Sequence, residues 1–119
     1  MTGYLDEYQG RVVLVTGGAG AIGSNLTRAD LSKTNLAGAN LSGAEMSLAN
    51  FFDANLNGAN LRGVNLTRAD LTAANLSRAD LTGANLTGAD LSEANLEGTT
   101  LNDAIMPDGT RYVKEKEAS

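Results

Sequence analysis

At 119 residues the chain has the size of one domain, and it holds neither cysteine nor histidine. Disulfides, thiol nucleophiles, Cys/His zinc sites and Ser-His-Asp triads are therefore excluded. A net charge of −5 speaks against nucleic acid as a partner, which needs a basic surface to meet phosphates, and no apolar run approaches the roughly 18 residues that span a bilayer. The expectation is a cytoplasmic protein without membrane contact.

In chain order the first element is a strand. "GYLDEYQ" is polar and short, and "RVVLV" (residues 11–15) reads as an apolar strand that leads into a glycine-rich loop containing Gly17, Gly18, Gly20 and Gly23. "SNLTRADL" (24–31) can start a helix with Ile22, Leu26 and Ala29 on one face, or it can start something else. The rest of the chain favours the latter. From Leu26 to Met106 an apolar residue recurs at every fifth position, through Leu31, Leu36, Leu41, Met46, Phe51 and onward, about seventeen times without insertion. Two residues before each stands a small one, nearly always Ala, with Asn or Asp between. "MPDGTRY" and a charged tail follow.

A five-residue step turns a helical side chain by roughly 140°, so these leucines would be spread over every face of a helix. In a flat strand Ala and Leu share a face, but the next Ala is three residues on and falls on the opposite one. The two-then-three spacing therefore requires a corner in each unit, with Gly, Asn, Asp and Arg near it. Such a chain coils, with Ala and Leu inward and neighbouring coils paired edge to edge.

Residues 24–106 with this A-(N/D)-L-x-x unit resemble the pentapeptide-repeat family. The resemblance implies an all-β fold, a right-handed quadrilateral β-helix with about twenty residues per coil and about four coils. Residues twenty apart then stack, and Asn35, Asn55, Asn75 and Asn95 become a ladder able to bond side chain to side chain along the axis. The coil holding Glu45, Met46 and Phe51 is expected to be the least regular. The N-terminal stretch resembles the opening of nucleotide-sugar epimerases and related extended short-chain dehydrogenases. In those enzymes glycines at the positions of Gly17, Gly18, Gly20 and Gly23 let the backbone approach a pyrophosphate. A second parallel strand ending in an acid about twenty residues on should follow, yet that region already lies in the repeat. The nucleotide fold is thus incomplete, no cofactor is expected, and residues 1–23 are assigned as an N-terminal cap over the open first coil. Residues 107–119 form a C-terminal turn and tail, and the whole reads as an engineered or recombined fusion.

The candidate interaction surface consists of Asp30, Asp70 and Asp90 in one column, Asp53 and Glu93 beside it, and Leu48 and Phe52 at positions where the repeat expects outward residues. No catalytic or metal-ligating group stands out. Tyr112 and Lys116 match the Tyr-x-x-x-Lys spacing of short-chain dehydrogenases but sit in a charged tail, where the match is coincidental. The leading functional reading is a non-enzymatic structural or interaction solenoid with an unknown protein partner. It is expected to pair as a homodimer through an end, since both ends carry apolar residues. The alternatives are a DNA-mimicking gyrase partner, as some members of the resembled family are, and weak nucleotide binding by the glycine loop.

Overall fold

In a computed structural model, which describes residues 4–6, 11–13 and 22–113, the five-residue units all make the same turn. The backbone N–H of each small residue donates to the carbonyl of the preceding leucine, as Ala39 does to Leu36, Ala59 to Leu56 and Ala79 to Leu76, each at 3.0 Å. The residue two after each leucine lies in the left-handed region; Gly58 has φ 68° and Arg78 φ 59°. A single positive φ at the second central position defines a type II turn. This is the corner that the spacing demands.

Each unit is bonded to the next coil at three points. Leu61 N–H donates to Asp80 O at 2.8 Å, Gly63 N–H to Thr82 O at 2.9 Å, and Asp80 N–H back to Ala59 O at 3.0 Å. The parallel bridges join residues twenty apart, as in Asn40↔Asn60↔Asp80↔Thr100. Four units therefore complete one coil. The protein is a right-handed quadrilateral β-helix of about four coils, with successive coils about 4.8 Å apart. We number its sides by their inward residues: side one holds Leu26, Met46, Leu66, Leu86 and Met106; side two Leu31, Phe51, Leu71 and Leu91; side three Leu36, Leu56, Leu76 and Leu96; side four Leu41, Leu61, Leu81 and Leu101.

These columns and the alanines fill the interior. Leu56, Leu61, Leu66, Leu71, Leu76 and Leu81 are buried, each worth roughly 1.5–3 kcal/mol. The coil with Glu45, Met46 and Phe51 is as regular as the others, contrary to expectation. Met46 and Phe51 are fully buried, and their N–H groups bond Asn65 O and Asp70 O at 2.7 Å each. Phe51 stays in the column because its ring lies inside, where the tube is wide enough for leucine stacks.

At the N-terminal end β1 (Tyr4–Asp6) pairs antiparallel with β2 (Arg11–Val13), Leu5 opposite Val12. The strand read from "RVVLV" thus has an antiparallel partner over 11–13, supplied by the "YLD" ahead of it. Gly17, Gly18 and Gly20 lie outside the described residues. Coil geometry is already present at Gly23, whose N–H donates to Ser42 O at 2.9 Å, and Asn25 bridges Glu45. Residues 23–30 therefore belong to the first coil and not to a helix. The two ends of the solenoid differ. In the first coil Leu31, Leu36 and Leu41 are 0%, 1% and 0% exposed, whereas Leu91, Leu96 and Leu101 of the last are only partly buried.

Candidate functional site

The Asn and Asp column residues first serve the turn. Their side-chain oxygen accepts the backbone N–H two residues on and, where that residue is Ser or Thr, its hydroxyl as well. Thr67 N and Oγ1 lie 3.0 and 2.6 Å from Asn65 Oδ1, and Ser92 N and Oγ lie 2.9 and 2.6 Å from Asp90 Oδ1. This local ring explains why the expected asparagine ladder does not form. Asn35, Asn55, Asn75 and Asn95 each spend Oδ1 on the N–H two residues later, at 3.0–3.1 Å, and no amide-to-amide bond runs along their column. The cross-coil side-chain bonds lie elsewhere: Asn57 Nδ2 donates to Ser77 Oγ at 2.6 Å and Asn65 Nδ2 to Glu45 Oε2 at 2.9 Å.

The structure brings every residue of the candidate surface onto side two and its two edges. Asp30, Asp70 and Asp90 share its midline with Asn50, in unbroken parallel register. Phe52, 39% exposed, stands on the same side, and Leu48, 40% exposed, stands at the edge shared with side one. Asp53 and Glu93 occupy the edge shared with side three. Stacked Asp70 and Asp90 do not force a proton onto Asp90. The Ser92 hydroxyl, aided by the Ser92 N–H and the Thr72 hydroxyl, holds the Asp90 carboxyl below its ordinary 3.8. Asp80 on side four is lowered likewise, first by the Thr82 hydroxyl and then by the Thr82 N–H and by Arg62, whose Nη1 lies 3.0 Å from it.

What the composition-based reading missed is how the edges are built. Among the described residues nine other than glycine take positive φ, and three of them (Arg28, Leu48, Arg68) line one edge of side two while four (Lys33, Asp53, Ala73, Glu93) line the other. The remaining corners are glycine at Gly88 on the first of these edges and at Gly38, Gly58, Gly98, Gly23, Gly43, Gly63 and Gly83 elsewhere, broken by Arg78 and Asp103. The signal was present in the sequence as the scarcity of glycine in two of four corner columns, where Gly88 is the single one among the described residues. Arg28, Lys33 and Arg68 thereby join the acids on this side, which is banded in charge and not uniformly acidic.

Of the glycine motif, only Gly23 is described, and its N–H is committed to the next coil, so it is unavailable to a phosphate. Among the described residues no group of three or more acidic side chains is placed to hold a metal, and no helix is long and apolar enough to cross a membrane.

Comparison with known proteins bears on the fold and the family. The model of "Pentapeptide repeats (8 copies)" matches residues 21–51, 29–68, 49–88 and 65–103. The chain belongs to the pentapeptide-repeat family. A pentapeptide-repeat protein of Nostoc, alr5209, is similar over 78% of this chain and 77% of its own, with 41% identity and a TM-score of 0.70. Rfr23 from the cyanobacterium Cyanothece shares 37% identity and a TM-score of 0.70 over 75% of this chain, which spans 60% of Rfr23. HetL of Nostoc, involved in heterocyst differentiation regulation, shares 35% identity with a TM-score of 0.51 over 76% of this chain and 52% of its own. Among proteins of curated function nothing matches. For a pentapeptide-repeat solenoid the constant features seen here, buried leucine, alanine and the Asn/Asp turn, belong to the scaffold. Differences between members must then lie in the outward positions and corners.

Proposed function

We propose that the protein is a non-enzymatic interaction solenoid that meets a protein partner with side two and its edges. The observation carrying this is the crowding of seven of the nine left-handed non-glycine residues onto those edges. A type II corner needs only a left-handed residue, and glycine provides that without penalty. An L-residue there costs on the order of 1–2 kcal/mol. The fold gains nothing evident from an exposed leucine at Leu48 or carboxylates at Asp53 and Glu93, so their side chains are kept for what they present. Exposed Phe52 and Leu48 supply an apolar anchor, flanked by Arg28 and Arg68 on one hand and by Asp53, Asp70 and Asp90 on the other. Such banding favours one orientation of a partner and disfavours others. HetL, a relative by both identity and fold, is itself involved in regulation and not named for a reaction.

The test is a photo-cross-linking amino acid placed in cells at Phe52 on side two and, separately, at Arg62 on side four. A discrete cross-linked protein from the Phe52 position alone is the expected result. Cross-links from Arg62 alone, or the same products from both, would overturn the assignment of the face.

A further inference from the structure

Within each unit two backbone N–H groups point toward the C-terminal end of the solenoid, those of the leucine and of the residue two after it, while one carbonyl points the same way, that of the small residue. In the last coil these groups meet no further coil. On the sides ending at Leu91, Leu96 and Leu101, neither the leucine N–H nor the carbonyl two residues before it has a hydrogen bond among the described residues, and the turn N–H groups of Glu93, Gly98 and Asp103 are equally open. The leucines themselves are partly exposed.

Side one is closed differently. After Met106 the chain reverses through Gly109 (φ 87°), and residues 110–112 lie antiparallel on the last unit with Arg111 opposite Ile105. Met106 N–H donates to Thr110 O, and Tyr112 N–H to Ala104 O, both at 2.7 Å. These are the same two groups, the N–H of the inward residue and the carbonyl two before it, that stand open on the other three sides. The chain thus displays on itself how an added strand satisfies this edge, and the seated strand carries a basic residue at its centre.

The charge around this end selects the occupant further. Residues 22–81 hold five acids and five bases, whereas residues 82–113 hold Asp90, Glu93, Glu97, Asp103 and Asp108 against Arg111 alone. The charge imbalance of the described coils is therefore concentrated at the open end. We infer that this end takes an extended, basic segment of a partner protein as an added β-strand on one of its three open sides, with alternate apolar side chains covering the leucine there. A second copy stacked end against end would bring two acidic rims together. Stacking onto the opposite end of another copy would meet a first coil in which Leu31, Leu36 and Leu41 are already buried and Leu26 alone is partly exposed. The inference rests on the reading of the protein as an interaction module, but it concerns the open end of the solenoid, which side two reaches only at Leu91 and Glu93.

The experiment is amide hydrogen exchange by NMR on the full chain, with a ten-residue peptide of alternating lysine and valine as probe. In the free protein the amides of Leu91, Leu96 and Leu101 should exchange fast beside those of Leu61 and Leu81. The peptide should slow at least one of them, and N-methylation of alternate peptide residues should weaken binding by about tenfold or more, as expected for losing two backbone hydrogen bonds. E97Q/D103N should weaken binding and flatten its salt dependence. Slowed exchange confined to side-two amides away from the last coil, equal binding of the N-methylated peptide, or a free protein that sediments as a dimer with these amides already protected would each overturn the inference. None of these readings depends on whether a cross-link forms at Phe52.

Discussion

Truncating one inward leucine tests the stacking directly. Leu66 is fully buried between Met46 and Leu86 on side one. Leu66→Ala removes three carbon atoms from a site whose walls are held apart by the backbone: Met46 N–H bonds Asn65 O at 2.7 Å and Leu66 N–H bonds Asn85 O at 2.8 Å. The coils cannot close on the cavity without breaking these ladders. The loss should therefore fall in the upper half of the usual 2–5 kcal/mol for such a truncation, about 4 kcal/mol. In urea, with a slope of about 1–2 kcal/mol/M, the midpoint should drop by about 2 M or more at unchanged slope. Leu96→Ala, at the half-covered last coil, should cost clearly less, about 1–2 kcal/mol, because less of its surface leaves water. Thr67→Ala on the outside loses one hydroxyl bond to Asn65 Oδ1 and should cost about 0.5–1.5 kcal/mol. That bond makes Thr67 more than an idle surface position. Equal midpoints for the Leu66, Leu96 and Thr67 variants would refute the inward assignment.

Three further outcomes are expected. Gly58→Ala should destabilise by on the order of 1–2 kcal/mol through φ alone, since an added Cβ at Gly58 (φ +68°) meets nothing within 4 Å; a neutral result in the same melts would show that the corner relaxes. Asp80, Asp90 and Asp108 all have carboxyls below the ordinary 3.8, so their contribution is present above that value and is lost as pH falls through their lower folded values; a melting temperature that stays flat from pH 5 to pH 2 would contradict the lowering. Deleting residues 1–20 should lower the melting temperature and solubility if the N-terminal segment caps the first coil, and an unchanged melt would argue against that role.

How much of this was legible beforehand follows from what repeats and what does not. The five-residue period alone excludes a helix and a flat strand, because neither geometry can place Leu and the small residue two before it on one surface in every unit. It also sorts inward from outward positions, so Leu66 and Thr67 could be told apart without coordinates. The number of sides was different. Nothing in one unit states that its neighbour in space is twenty residues away; the bridges Asn55↔Asn75 and Asp70↔Asp90 do, since closure depends on how the corner angles add up around a coil. Only that closure gathers Asp30, Leu48, Phe52, Asp53 and Glu93 onto one side. The use of the Asn oxygens was likewise hidden, because an amide can serve a ladder or its own turn. The short path to the N–H two residues on wins, as at Asn75 with Ser77. The ends were the least legible part. A repeat specifies each coil by its neighbours, but the last coil has a neighbour on one side only, and what meets its open N–H groups is decided by the reversal at Gly109 and by the three sides which that reversal leaves uncovered.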